Sequence, residues 1–186
     1  FINYIETGQN LGYAKGNNVG LDFFSKVEDI EYILILNNDI LLSESLIDPL
    51  RKTLDSNISY GVVSPILFKA NGDLDYNCAR MEPSFLDIII EQSLILNKFS
   101  IFSKIQKKRY IIRDQVLDKE LVDIEMPSGS CFLIRKDLFS SVGGFDANTF
   151  LYYEENILYR KLLKTGLRSI LLTTSSCIHL GGNSTK

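Results

Sequence analysis

The sequence predicts an α/β protein with a mixed, mostly parallel sheet flanked by helices. Three observations lead there. The run Ile33-Leu34-Ile35-Leu36 is aliphatic throughout, the mark of a strand buried on both faces of a sheet. Strand-like and helix-like stretches alternate on either side of it, which is the pattern of covered, largely parallel sheets. The chain has 186 residues of which 45% are hydrophobic, enough for one respectable core and one domain.

Taken in order, Phe1 to Ile5 reads as a short strand and Glu6 to Asn18 as a loop spaced by Gly8, Gly12 and Gly16. A helix from about Asn17 to Val27 follows, with Val19, Phe23 and Val27 recurring every fourth residue. After the aliphatic strand, Ser43 to Asp55 suits a helix with Ser43 as N-cap and Leu46, Ile47, Leu50 and Leu54 on one face. Tyr60 to Phe68 reads as a strand and Asn71-Gly72-Asp73 as a tight turn. Residues 85–119 are expected to be helical, with apolar clumps ending in Lys104, Lys107, Lys108 and Arg109. Such a stretch is either an interfacial or acceptor-side segment on an anionic membrane, or a core-covering helix with a solvated basic end. Beyond a polar linker come a strand at Cys131 to Arg135, a short helix at Asp137 to Val142 stopping at Gly143-Gly144, and a helix at Glu154 to Lys164 before Gly166. A last strand, Arg168 to Leu172, leads to Cys177-Ile178-His179.

Composition excludes several classes. A net charge of −3 offers no basic excess, so nucleic acid is not an expected partner. Cys78, Cys131 and Cys177 are odd in number and widely spaced, suiting a reducing compartment rather than a zinc site or disulfide framework. Asp87 and Glu91 interrupt the best candidate for a membrane span, and no secretory signal opens the chain. The chain starts at Phe1, directly on strand-like sequence, and is expected to be a fragment of a longer protein.

Four sets of residues could carry chemistry. Asn37-Asn38-Asp39 closes the aliphatic strand, at the sheet edge where α/β proteins bind ligands. Its oxygens suit a hard divalent cation travelling with phosphates, or form no more than a polar cap before a turn. Asn10 to Asn18, with Gly12 and Lys15 inside it, feeds a helix start and suits a phosphate or nucleotide, though an ordinary capped loop has the same look. Glu154 and Glu155 follow the aromatic run Phe150 to Tyr153, where a carboxylate could act as general base or simply complement a helix dipole. His179 is the only histidine, either a ligand completing an oxygen-rich metal site or a packed ring.

The order of these motifs adds what none carries alone. Asn10-x-Gly12-Tyr13-Ala14-x-Gly16-Asn17-Asn18, Asn37-Asn38-Asp39, Ser128-Gly129-Ser130-Cys131-Phe132-Leu133-Ile134-Arg135, Gly143-Gly144-Phe145-Asp146, Phe150-Leu151-Tyr152-Tyr153-Glu154-Glu155 and His179 together closely resemble the family 2 glycosyltransferases, in particular their rhamnosyltransferase-like branch. The likeness runs over nearly the whole chain and is least at Phe85 to Lys119. It implies a GT-A fold, a nucleotide-sugar donor and inverting transfer assisted by Mg²⁺ or Mn²⁺. On that resemblance Asp39 matches the metal-binding end of the Asp-x-Asp motif and His179 a histidine near the metal and diphosphate. Asn37 stands at the motif's first acidic position, with Asn38 beside it. Asn10, Gly12, Lys15 and Asn18 match the donor-binding loop, and Ser128 and Gly129 the loop beside the transferred sugar. Glu155 falls where the family usually places its Asp base, and Glu154 matches the preceding Glu. One departure stands out: the strand-helix-strand unit that opens family members and holds the base is absent before Phe1.

The implied reaction moves a sugar from dTDP-rhamnose or a UDP-sugar to a glycan or lipid-linked glycan acceptor during cell-surface polysaccharide synthesis. The expected setting is cytoplasmic, at the inner face of the plasma membrane, with peripheral membrane association through the basic segment and homodimer formation on an uncovered sheet edge. Two other readings compete: a sugar-nucleotide-binding module without catalysis, and a metal-dependent nucleotidyltransferase.

Overall fold

A computed structural model describes residues 2–86, 89, 116–151 and 153–181. The predicted aliphatic strand is present as β1 (Tyr32–Leu36), followed at once by the two-residue strand β2 (Ile40–Leu41). The chain continues through α2 (Ile47–Ser56), β3 (Tyr60–Lys69), a 3-10 turn (Tyr76–Cys78) and β4 (Ala79–Arg80). Then come β5 (Leu121–Ile124), β6 (Met126–Pro127), β7 (Cys131–Arg135), α3 (Lys136–Ser141), α4 (Glu154–Thr165) and β8 (Arg168–His179), with α1 (Gly12–Ser25) preceding them all.

The main sheet has the order β1-β7-β3-β8-β2, with β5 also pairing β8. It is mixed and flanked by helices, as expected, but the mostly parallel pairing is not what forms. Among the described residues only β3–β8 is a parallel ladder, while β1–β7, β3–β7, β2–β8 and β5–β8 are antiparallel. The reason is an inserted strand. β1 and β3 run the same way, as the intervening α2 dictates, yet β7 lies between them and runs against both.

Alternate side chains of this sheet feed two cores. Cys131 and Leu133 of β7 face a cluster with Leu46 just before α2 and Leu50 and Leu54 within it, and Phe132 and Ile134 face another with Leu21, Phe139, Leu158 and Leu162 from α1, α3 and α4. β7, like the middle of β3, is therefore buried on both faces. In β1 only Ile33 and Ile35 are buried, and Leu36 is 38% exposed. Phe145 closes the second cluster by edge-to-face contacts with Tyr13 and Phe139 at 5.2 Å and with Phe132 at 6.3 Å, pairs of the kind that add about 0.5–1.5 kcal/mol each beyond burial.

Several expectations are corrected. Residues 2–10 carry no strand; Ile2 and Tyr4 are 100% and 86% exposed, and no neighbouring strand among the described residues pairs with them. The first helix begins at Gly12, so much of the expected loop is helical. Gly12 can start it because φ is +74°, and the Tyr13 N–H bonds Phe150 O at 2.9 Å. A Cβ on Gly12 would collide with that backbone oxygen. α2 starts at Ile47, since Ser43 spends its carbonyl on a turn to Leu46 N–H at 3.2 Å, and its side chain does not cap the helix. Ile47 points outward, 52% exposed. The polar linker hides β5, whose short alternation of exposed and buried residues was too brief to register. The expected helical segment 85–119 lies largely outside the described residues; its last stretch, 116–119, turns into β5 with Lys119 N–H on Val116 O at 3.2 Å. Among the described residues no helix is long and apolar enough to cross a membrane.

The register of α2 is directly testable by urea denaturation. Leu50→Ala and Leu54→Ala are expected to cost about 2–5 kcal/mol each. Ile47→Ala should stay within about 0.5 kcal/mol of the parent chain.

Candidate active site

The site gathers where β1, β7 and β8 end. Asp39 follows β1 through a turn in which Ile40 N–H bonds Asn37 O at 3.3 Å. β2 then pairs Ile40 with His179 at the end of β8, and Leu180 N–H returns to Asp39 O at 2.9 Å. The two side chains consequently meet, with His179 Nε2 at 3.4 Å from Asp39 Oδ2. Asp39 Oδ1 is buried and, among the described residues, has no hydrogen-bond partner. A buried carboxylate oxygen left unmet is costly and invites a cation. Carboxylate oxygen is the donor that Mg²⁺ and Mn²⁺ favour, and of the two ions Mn²⁺ is the one that more readily accepts an imidazole nitrogen. Among the described residues no group of three or more acidic, Cys or His side chains converges to hold a metal, so the chain offers a two-residue foothold. That suits a cation which keeps waters and substrate phosphates in its shell.

On the other side of the His179 ring, Nδ1 lies 3.5 Å from Asp75 Oδ2. Asp75 is 7% exposed, and its Oδ1 accepts both the backbone and side-chain N–H of Asn77 at 3.1 Å. Asp75, Asn77 and His179 also line a cavity of about 370 Å³ together with Lys69.

A second cluster is built on the loop between β6 and β7. The small β4–β6 ladder, extended by Ser128 N–H on Cys78 O at 3.2 Å, aligns Arg80 with this loop. Glu155, in the first turn of α4, accepts the Gly129 N–H on Oε1 at 3.0 Å, and the Arg80 guanidinium stands 3.7 Å from the same oxygen. Tyr13 donates its hydroxyl to Gly129 O at 2.6 Å. Burial and then the nearby Glu155 push the Tyr13 hydroxyl well above its ordinary range, so it stays a donor. The lack of a side chain at Gly129 leaves room for both partners: a Cβ there would lie 2.7 Å from Glu155 Oε1 and 3.0 Å from the Tyr13 oxygen and would push them aside. Just before α4, Tyr153 holds φ at +70°, a strained backbone for a residue with a side chain, and this delivers Glu154 and Glu155 to their places.

The structure brings some predicted residues together and disperses others. Asn37 joins the two clusters, its backbone N–H bonding Ser130 O at 2.9 Å and its amide reaching Ser130 Oγ at 3.4 Å. Ser128 is 9% exposed and accepts the Ser130 N–H on Oγ at 3.3 Å, while Asn38 is exposed on the rim. Glu154 is only 2% exposed, which leaves Glu155 as the accessible member of the pair. Asn10 accepts the Gly12 N–H at 2.9 Å and Lys15 is exposed on α1. Asn18 is turned away from ligand duty: its amide accepts Phe145 N–H and donates to Phe145 O, both at 2.9 Å. Tyr13, Asp75 and Arg80 are site residues that sequence reasoning did not select. Tyr13 lay inside a motif, but nothing local distinguishes Asp75 or Arg80 as partners of His179 and Glu155.

The fold and the sequence have counterparts among known proteins. The fold is of the GT-A glycosyltransferase type: a solved structure of GalNAc-T7 with UDP, GalNAc and Mn²⁺ superposes at TM-score 0.61 with 11% identity, over 95% of this chain and 32% of that one. A197 from STIV superposes at TM-score 0.50 with 13% identity, over 91% of this chain and 68% of that one. In sequence the chain is similar to transferases of hexose and rhamnose. The low-salt glycan biosynthesis hexosyltransferase Agl10 of Haloferax volcanii is 24% identical over 83% of this chain and 44% of its own length. The N-acetylglucosaminyl-diphospho-decaprenol L-rhamnosyltransferase of Mycobacterium tuberculosis is 25% identical over 99% and 60%. The rhamnosyltransferase WbbL of Escherichia coli strain K12 is 27% identical over 96% and 64%. This chain thus spans between 44% and 64% of the length of these relatives. No family model matches it.

The Gly129–Glu155 contact is testable without any substrate. Gly129→Ala should cost about 1–3 kcal/mol of stability through overpacking. In a Glu155→Ala background that cost should shrink by about 0.5–3 kcal/mol, the coupling expected of touching residues in a double-mutant cycle.

Proposed function

We propose that the chain is the catalytic part of an inverting glycosyltransferase of cell-surface polysaccharide synthesis. Its donor would be dTDP-rhamnose or a UDP-sugar and its acceptor a hydroxyl of a glycan or lipid-linked glycan. The observation that carries this reading is the meeting, at one end of the sheet, of Asp39 with His179 and of Glu155 with Gly129 and Arg80. The likeness to enzymes named as hexosyl- and rhamnosyltransferases supports it, as does the GT-A fold.

Glu155 is the general base. With Oε1 engaged by the Gly129 N–H, Oε2 would take the proton of the acceptor hydroxyl, whose oxygen attacks the anomeric carbon on the face opposite the leaving diphosphate. The bond to the diphosphate breaks as the new one forms, through a transition state like the oxocarbenium ion of glycoside hydrolysis. Asp39 and His179 are the residues that would hold Mg²⁺ or Mn²⁺, which when bound supplies Lewis-acid stabilisation to the diphosphate. Asn37, Asn38, Ser128 and Gly129 would line the donor, with Asn10, Gly12 and Lys15 at the start of α1 beside them; Asn18 instead pins the Phe145 loop. The Mycobacterium tuberculosis relative is named for a diphospho-decaprenol acceptor. An acceptor of that chemistry would set the reaction at the cytoplasmic face of the membrane, with the basic segment near Arg109 as the contact and dimerisation on the open sheet edge as the assembly.

Calorimetric titration with UDP and dTDP, with and without Mn²⁺, is expected to show metal-dependent binding that Asp39→Ala abolishes. Release of nucleoside diphosphate coupled to acceptor glycosylation should fall about 10²–10⁴-fold in Glu155→Gln, the usual worth of a general base, with donor binding kept. Equal turnover in that variant would exclude Glu155 as the base.

A further inference from the structure

We propose that Asp75 is the positioning residue of the cation site, accepting the Nδ1–H of His179 so that the Nε2 lone pair is turned toward Asp39 and the cation. The inference rests on the metal reading of Asp39 and His179 given above, and adds to it a residue 104 positions away from the histidine in sequence.

A neutral imidazole has a single N–H, and its partners decide which nitrogen carries it. His179 is flanked by two carboxylates, Asp75 Oδ2 at 3.5 Å from Nδ1 and Asp39 Oδ2 at 3.4 Å from Nε2, and both can only accept when ionised. The two are not equivalent. Asp75 is fixed from every side: its N–H bonds Leu67 O at 2.8 Å, its carbonyl accepts Cys78 N–H at 3.0 Å, and Oδ1 accepts two N–H groups from Asn77. Only Oδ2 remains, and it faces the ring. Asp39 instead keeps a buried oxygen with no partner among the described residues, the sign of a carboxylate awaiting a cation. The N–H therefore belongs to the Asp75 side. Asp75 stands on the far nitrogen and does not itself ligate. Carboxylate, histidine and metal in series fix ring orientation and raise ligand basicity, and losing the outer carboxylate typically weakens metal binding about 10–100-fold.

Asn77 makes the idea sharply testable. In Asp75→Asn the new carbonyl oxygen is still claimed by the two Asn77 donors, which turns the new amide nitrogen toward Nδ1. That ring nitrogen must then accept, the hydrogen moves to Nε2, and the lone pair facing the cation is lost. His179 is the only histidine in the chain, so its two nitrogen resonances are read without ambiguity. In ¹⁵N-histidine-labelled chain with Mg²⁺, at a pH where imidazole is neutral, we expect the Nδ1–H tautomer in the parent and Nε2–H in Asp75→Asn. Mn²⁺ affinity, read from the electron paramagnetic resonance of free Mn²⁺, should fall about 10–100-fold in that variant, with the thermal unfolding midpoint retained. Asp75→Ala should give a mixture of tautomers and a similar loss. Unchanged Mn²⁺ affinity in folded Asp75→Asn would overturn the proposal, and so would lost affinity with the parent tautomer intact, which marks a merely structural role. A parent chain with no Mn²⁺ binding sensitive to Asp39→Ala would overturn the metal reading itself and this inference with it.

Discussion

The break in the β3–β8 ladder at Pro65 governs where the chemistry lies. β3 is a central strand, and a proline there brings no N–H to the sheet, so it is tolerated where pairing is already interrupted. Pro65 stands opposite Leu172, whereas the next residue, Ile66, stands opposite Ser176. The three residues 173–175 are thereby looped out of that ladder, and Thr173 turns its N–H to Glu120 O at 2.9 Å. Without the slip Ser176 would face Lys69, four positions beyond Pro65; with it, His179 does. The same end of β3 leads through the Asn71–Asp73 turn, closed by Lys69 N–H on Asp73 O at 2.8 Å, back to Asp75. One irregularity thus brings the histidine to the rim shared by both of its carboxylate neighbours.

The second cluster depends on packing rather than on register. Phe145 touches Tyr13, Phe132 and Phe139, and its backbone is held by both ends of the Asn18 amide. This ties α1 to the β7–α3 layer and sets the height of Tyr13, whose hydroxyl fixes the Gly129 carbonyl. Gly129 then presents its N–H to Glu155. A hydrophobic contact, a backbone bond and a carboxylate are linked in sequence, so the position of Glu155 is decided by the core beneath it. Tight interiors behave this way because side chains there have little room to relax.

Much was legible beforehand because it rests on local rules. Helix α4 starts with its acids and stops before Gly166, and β7 falls on Cys131–Arg135 as its apolar run demands. The residues of the site were legible as types: an oxygen-rich strand end, a glutamate pair and a lone histidine. α1 starts before the expected Asn17 because a long-range bond from Tyr13 to Phe150 overrides the low helix propensity of its glycines and asparagines. β5 and the strand direction were missed for a related reason, since pairing partners are chosen across the sheet and leave little trace along the chain.

Sequence by itself determined the α/β class, the bounds of β1, β3, β7, α3 and α4 to within a residue, and the glutamate pair, the lone histidine and the oxygen-rich strand end of the site, because periodicity, capping and side-chain chemistry act over a few residues. Tertiary structure alone decided that Glu155 stays half-buried beside Gly129 while Glu154 is fully buried, that Asn18 braces Phe145, and that Asp75 stands behind His179. Those outcomes depend on register, on an inserted antiparallel strand and on contacts between residues 26 to 127 positions apart. Such distances place the deciding partner beyond any local pattern.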